Sequence, residues 1–182
     1  MPEKLIRPVG NYRKLLSYQK TEVIYEMTYF FCHRFLQPGD RTIDQMVQAA
    51  RSGKQNIIEG CAASATSAKT EIKLVNVAKA SLQELLEDYI DYLRTRRHRQ
   101  WEKDSKEWVA MRQLGMEHND AAFFMKICET RPPETIANMA IILIYQADYL
   151  LHRQLQRLEN DFTQQGGFSE RMTRVRKEHR GY

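Results

Sequence analysis

Apolar residues recur at alternating spacings of three and four along four long stretches of this chain, and no stretch alternates with the period of a strand. That pattern confines the chain to helices packed side by side. The third stretch shows it most fully. Val75, Ala78, Leu82, Leu85, Tyr89 and Tyr92 form one seam, widened by Leu86, Ile90 and Leu93. It follows the small polar run 64–67, with Thr66 or Ser67 as the expected N-cap, and reaches about residue 97. Roughly 30 residues at 1.5 Å each make a helix of about 45 Å.

The first stretch is predicted over about 12–36, with Leu16, Val23, Met27 and Phe30 on one stripe and Ile24 and Phe31 beside it. Pro38-Gly39-Asp40 ends it. The second covers about 42–63, capped by Asp40 or Thr42, with the stripe Met46, Ala50, Gly53, Ile57 and Gly60. A mid-helix glycine costs about 1 kcal/mol against alanine. Two on one stripe predict a neighbouring backbone at close range. The opposite face carries Gln48, Arg51, Gln55, Asn56 and Glu59. The fourth stretch starts at Pro132-Pro133 and runs to about residue 160 through Ile136, Ala140, Leu143, Ala147 and Leu150. Residues 139–145 are apolar all round, which places this helix centrally or against a second partner.

These stretches predict an all-α, antiparallel up-down four-helix bundle over 1–162. An insertion at about 99–131 is expected to hold two short helices, near 102–114 and 119–128, and a basic suffix follows at 163–182 with a short helical pattern from 169 to 180. The apolar faces are wider than a lone bundle needs, which predicts a homo-oligomer. At 182 residues the chain can bury a sufficient core without disulfides.

Several function classes find no support in the residues. Cys32, Cys61 and Cys128 are odd in number and widely spaced, as expected of reduced core thiols. Residues 1–10 contain no apolar leader, and the longest apolar run falls far short of the roughly 20 residues of a membrane span, so a cytoplasmic protein with no membrane partner is expected. No Glu has His three residues on, as a di-iron bundle would require. Glu84, Glu87, Asp88 and Asp91 form an acidic stripe read as a solvated or ion-pairing face, and Asp148 and His152 form an i, i+4 pair. Arg51-Ser52-Gly53-Lys54 lacks phosphate-loop spacing. A non-enzymatic protein without cofactor or metal is the expectation.

Positive charge is concentrated. Residues 94–103 hold five basic side chains and one acid, and residues 163–182 hold five and two, in a chain whose net charge is +5. Arg94, Arg96, Arg97 and Arg99 stand where the third helix ends. There they either complement the helix dipole or form a phosphate-binding patch, with Trp101 near enough to stack on a base. Arg171, Arg174, Arg176, Lys177 and Arg180 form the second cluster, read as nucleic-acid contacts or as a solubilising, disordered tail.

The run from Asp40 through Gln45-Met46-Val47, Arg51-Ser52-Gly53-Lys54 and Asn56 to Glu59-Gly60 resembles the four-helix bundle proteins encoded in intervening sequences of bacterial 23S ribosomal RNA genes. Ser81-Leu82-Gln83-Glu84-Leu85-Leu86-Glu87-Asp88-Tyr89 resembles that family's second signature. The insertion and the ending Gly166-Gly167-Phe168-Ser169-Glu170-Arg171-Met172 are similar to the subgroup with a C-terminal suffix. The resemblance implies a ring, typically a pentamer. It also implies kinship with the accessory variability determinant of diversity-generating retroelements, which partners a reverse transcriptase and carries a basic, nucleic-acid-binding surface. It supplies no functional residues to carry over. Arg51, Asn56 and Glu59 match its pattern, whereas Cys61 stands where a small polar residue such as serine is expected.

Two functions follow as expectations: binding of structured RNA or DNA through phosphate contacts, or a protein-interaction scaffold that binds no nucleic acid.

Overall fold

The computed structural model describes residues 10–180. Residues 1–9, read above for the absence of a leader, and residues 181–182 of the suffix lie outside the described residues. The described chain is all-helical, with no strand among its residues. A single 3-10 turn, Tyr12–Lys14, precedes α1 (Leu16–Phe35). Then come α2 (Arg41–Ala63), α3 (Ala68–Thr95), α4 (Lys106–Glu117), α5 (Ala121–Cys128), α6 (Pro133–Gln165) and α7 (Phe168–Arg180).

The helix starts are set by side-chain caps. Asp40 accepts from the Thr42 amide at 2.9 Å, Ser67 from Thr70 at 3.2 Å and Asp120 from Phe123 at 3.1 Å, each cap contributing about 1 kcal/mol. Pro133 opens α6 at a position where its missing N–H costs nothing. Gly166, at φ +71°, ends that helix five residues beyond the expected end. The first helix starts later than expected, because Leu15 is extended and separates it from the 3-10 turn.

Packing follows the stripes. α2 lies against α1 and α3, and α6 lies against α1 and α3. Phe31 of α1 meets Tyr89 and Tyr92 of α3 with ring centroids 5.2 and 4.8 Å away. The Tyr89 hydroxyl donates to Thr28 Oγ1 at 2.9 Å, which satisfies the one polar atom of a fully buried ring. Every residue of the α2 stripe and of the α3 seam is buried. Gly53 explains itself: a Cβ there would stand 2.8 Å from Leu82 Cδ2. Around it the Ser52 and Ser81 hydroxyls share a 2.8 Å hydrogen bond, and Asn56 Nδ2 donates to the Ser52 carbonyl. The α2 motif therefore contributes to the α2–α3 seam.

Three stripe assignments shift, one of them at Phe30, which is half-buried while its neighbour Phe31 is fully buried. Leu16 is exposed, because it opens α1 ahead of the tightly packed turns. Leu150 is half-buried while Leu151 is fully buried, since a 3.6-residue turn drifts against a repeat of threes and fours over the length of α6.

The short helices cover what the long ones leave open: α5 packs on α1 and α4 on α6. Residues 139–144 are buried on every side, with α1 and α3 beneath and α4 above. The all-round apolar segment therefore has its covering within the same chain except at its last residue, Tyr145, which is 49% exposed. Lys20, 2% exposed within α1, donates through Nζ to the carbonyls of Gly115 and His118 at the end of α4, where unsatisfied carbonyls and the dipole favour a cation. Desolvation pushes its pKa down to about 8. A Cβ at Gly115 would fall on Gln146 Oε1, so a larger residue there would make the Gln146 side chain shift where α4 meets α6.

The three cysteines are free and buried, and desolvation raises the Cys32 and Cys128 thiols to about 12. No described helix is long and apolar enough to cross a membrane.

Candidate nucleic-acid interface

The arginine cluster at the end of α3 begins with a helix stop. The Arg97 amide donates to the Arg94 carbonyl and the His98 amide to the Leu93 carbonyl, the two bonds of a Schellman ending. This places Arg97 at φ +57°, a conformation glycine adopts more cheaply by about 1 kcal/mol. Asn138 of α6 then fixes the departing chain. Its Oδ1 accepts from the Trp101 amide at 2.7 Å, and its Nδ2 donates to the carbonyls of Arg99 and Glu134, both at 2.9 Å.

Most of the cluster's charge is answered within the chain. Arg94 binds Asp91 at 2.7 Å, Arg99 binds Glu107 of α4, and His98 faces Glu134 of α6 at 3.1 Å. Arg96 lies over the Tyr92 ring, 4.2 Å from its centroid. The Arg97 guanidinium has no hydrogen bond or ion pair among the described residues. Trp101 is half-buried against the core and offers only part of its ring to a base.

The second cluster is not a loose tail but the helix α7. Its members separate by exposure. Arg171 is corrected from an expected surface contact to a buried side chain, 5% exposed, because the first turn of α7 sets it in a cleft beside the end of α6. It lines a cleft of about 600 Å³ with Lys14, Arg153 and Arg157, opposed there by Glu71 and Asp161. Arg174, Arg176, Lys177 and Arg180 are exposed. Arg153 donates to the Tyr149 hydroxyl at 3.2 Å. Among the described residues no ion pair engages Lys14, Arg153, Arg157, Arg176, Lys177 or Arg180.

The ten sequence-predicted contacts do not come together in one chain. Asn138 ties the first cluster to the start of α6, and the second follows the end of the same unbroken helix. The 28 residues from Asn138 to Gly166 span about 42 Å of helix, so the two clusters begin at opposite ends of α6. The structure adds Lys14, Arg153 and Arg157, which sequence reading passed over. Arg153 and Arg157 share a face of α6 at i, i+4, a signal hidden among ordinary surface charges.

The acidic stripe of α3 also lies at the surface. Asp91 is used by Arg94, while burial, reinforced by Asp91 and Glu84, raises the half-buried Asp88 carboxyl. The expected Asp148–His152 pair is replaced by Asp148 with Lys79 of α3 at 3.3 Å. No group of three or more His, Cys, Asp or Glu among the described residues is placed to hold a metal ion. Compared with known proteins, the chain matches no family model, no curated protein and no solved structure.

Proposed function

We propose that this chain is a non-enzymatic cytoplasmic protein that binds structured RNA or DNA through phosphate contacts, chiefly at the α6–α7 end. The carrying observation is the set of cations there, Lys14, Arg153, Arg157, Arg176, Lys177 and Arg180, which no carboxylate pairs with among the described residues. Unpaired surface cations release bound counterions when they meet phosphates, so affinity falls steeply with salt and does not depend on base identity.

In this reading the long helices form an antiparallel up-down four-helix bundle of the 23S ribosomal RNA intervening-sequence family, assembled as a ring, typically pentameric. The support is the α2 and α3 motifs; the apolar width once pointing to an oligomer is partly accounted for by α4 and α5. A ring repeats a weak phosphate contact once per subunit and multiplies its effect. Static light scattering at micromolar concentration tests the ring, and a stable monomer refutes it.

Fluorescence anisotropy with a structured RNA and with duplex DNA, at low and moderate salt, tests the binding. Salt-sensitive binding to either ligand supports the reading; no binding at low salt overturns it. A scaffold role is the second reading, favoured by the acidic face of Glu84, Glu87 and Asp88. It would suit a basic protein partner, a reverse transcriptase or another protein. A partner retained through nuclease treatment and lost on changing Glu84 and Glu87 to Gln supports it.

A further inference from the structure

Half of the large apolar side chains exposed among the described residues gather at one place, beside the α6–α7 cleft, with which it shares Leu16 and Leu150, and away from the arginines at the end of α3. Leu16, Met116, Tyr145 and Tyr149, between 49% and 58% exposed, all line one cavity of about 660 Å³ between the start of α1, helix α4 and the middle of α6. Trp108 closes one wall. The volume lies in the range of small-molecule sites, about 300–1,000 Å³.

The charge of the lining is one-sided. Its only charged residues are Arg112 and Lys20, and no carboxylate lines it. The Arg112 side chain is exposed, stands 5.8 Å from the centre of the Trp108 ring and has no ion pair among the described residues. Lys20 lies under the floor, held by the Gly115 and His118 carbonyls. A neutral apolar molecule would use the walls and leave the guanidinium unanswered. An apolar body with one anionic group uses both.

We propose that this cavity is a binding site for a small amphiphilic monocarboxylate, its acyl or aryl body seated among Leu16, Met116, Tyr145 and Tyr149 and its carboxylate at Arg112. The position of Lys20 adds positive potential from below, and Tyr145 and Tyr149 supply ring faces at the rim.

Isothermal titration of the full chain with decanoate, 2-naphthoate and 1-decanol tests this. Decanoate or 2-naphthoate is expected to bind saturably, one per chain, about tenfold more tightly than 1-decanol, the usual worth of one charge-assisted contact. Tighter decanoate assigns an acyl ligand and tighter 2-naphthoate an aryl one; either upholds the site. Arg112→Gln should abolish the preference over the alcohol. Tyr149→Ala should weaken acid and alcohol alike. Both residues are exposed, and circular dichroism checks that each variant keeps its helices. No saturable binding up to millimolar ligand, equal binding of acid and alcohol, or an unchanged preference in Arg112→Gln overturns the proposal. So does binding that disappears as an oligomer grows with protein concentration, which would assign the face to a second copy.

Discussion

The two basic ends of the molecule carry similar numbers of cations and arrange them in opposite ways. At the end of α3 the arginines are built into the structure: one pairs with Asp91, one with Glu107, one lies on Tyr92, and the backbone between them is fixed by Asn138. At the α6–α7 end Lys14, Arg153, Arg157, Arg176, Lys177 and Arg180 stand without an ion pair among the described residues. Local charge density is therefore a poor measure of what a phosphate meets. The end with the denser cluster in sequence is the more neutralised in space.

The sharpest test removes charge from each end separately. Changing Arg153, Arg157, Arg176 and Lys177 to Gln should weaken RNA and DNA binding by one to two orders of magnitude at low salt and flatten the salt dependence by about one unit per lost contact. Changing Arg94, Arg96, Arg97 and Arg99 to Gln should cost less than about threefold. The reverse ranking in anisotropy titrations would break the comparison.

Asn138→Ala should destabilise the protein by about 2 kcal/mol, because it leaves the Trp101 amide and the Arg99 carbonyl without their partner beside a buried position. Urea unfolding measures this, and a loss below about 0.5 kcal/mol would show the α3 end to be less tightly built than described. Arg97→Gly should stabilise by up to about 1 kcal/mol through relief of the left-handed conformation, with binding unchanged. A marked loss of affinity would instead give the Arg97 side chain a contact with nucleic acid. The smallest effect belongs to Asp91→Asn with Glu107→Gln. Freeing Arg94 and Arg99 should raise affinity about two- to threefold at low salt.

Lys20 has a pH signature of its own. Its folded pKa, about 8, lies below the ordinary value of 10.5, so across that interval the unfolded chain binds more protons and stability rises with pH. The buried thiols work oppositely: with folded values raised to about 12 for Cys32 and Cys128, they lower stability above about pH 9. The difference between wild type and Lys20→Met isolates the lysine. It should grow in favour of wild type between pH 8 and 10, and a flat difference in urea midpoints would refute the assignment.

The fold was legible to the extent that it depends on local signals. The α2 stripe, the α3 seam, the caps at Asp40 and Ser67 and the Pro133 start are all read within one or two turns of chain. Leu16 was misread because a stripe gives its direction but not its end. The candidate site was less legible, since the partners of Arg99 and His98 lie on α4 and α6, and only packing brings Glu107 and Glu134 to them. Lys14, Arg153, Arg157 and Arg171 meet from three separate stretches for the same reason. Lys20 gave no signal, because a lone lysine on an apolar helix reads as a surface charge until the carbonyls it caps are in place.

The seat of α4 on α6 has a consequence for how the protein fails. One twelve-residue helix, tethered by Lys20, Gln146 and the exposed Arg99–Glu107 pair, shields the apolar stretch 139–144, whereas the α2–α3 seam runs the length of two long helices. Partial opening should begin there, with α4 amides exchanging hydrogen well before those of α3. Such an opening bares a run of isoleucines and leucine to other molecules while the rest stays folded. Heat or crowding would then be met first by clumping of nearly native chains, at temperatures where the long helices still hold together.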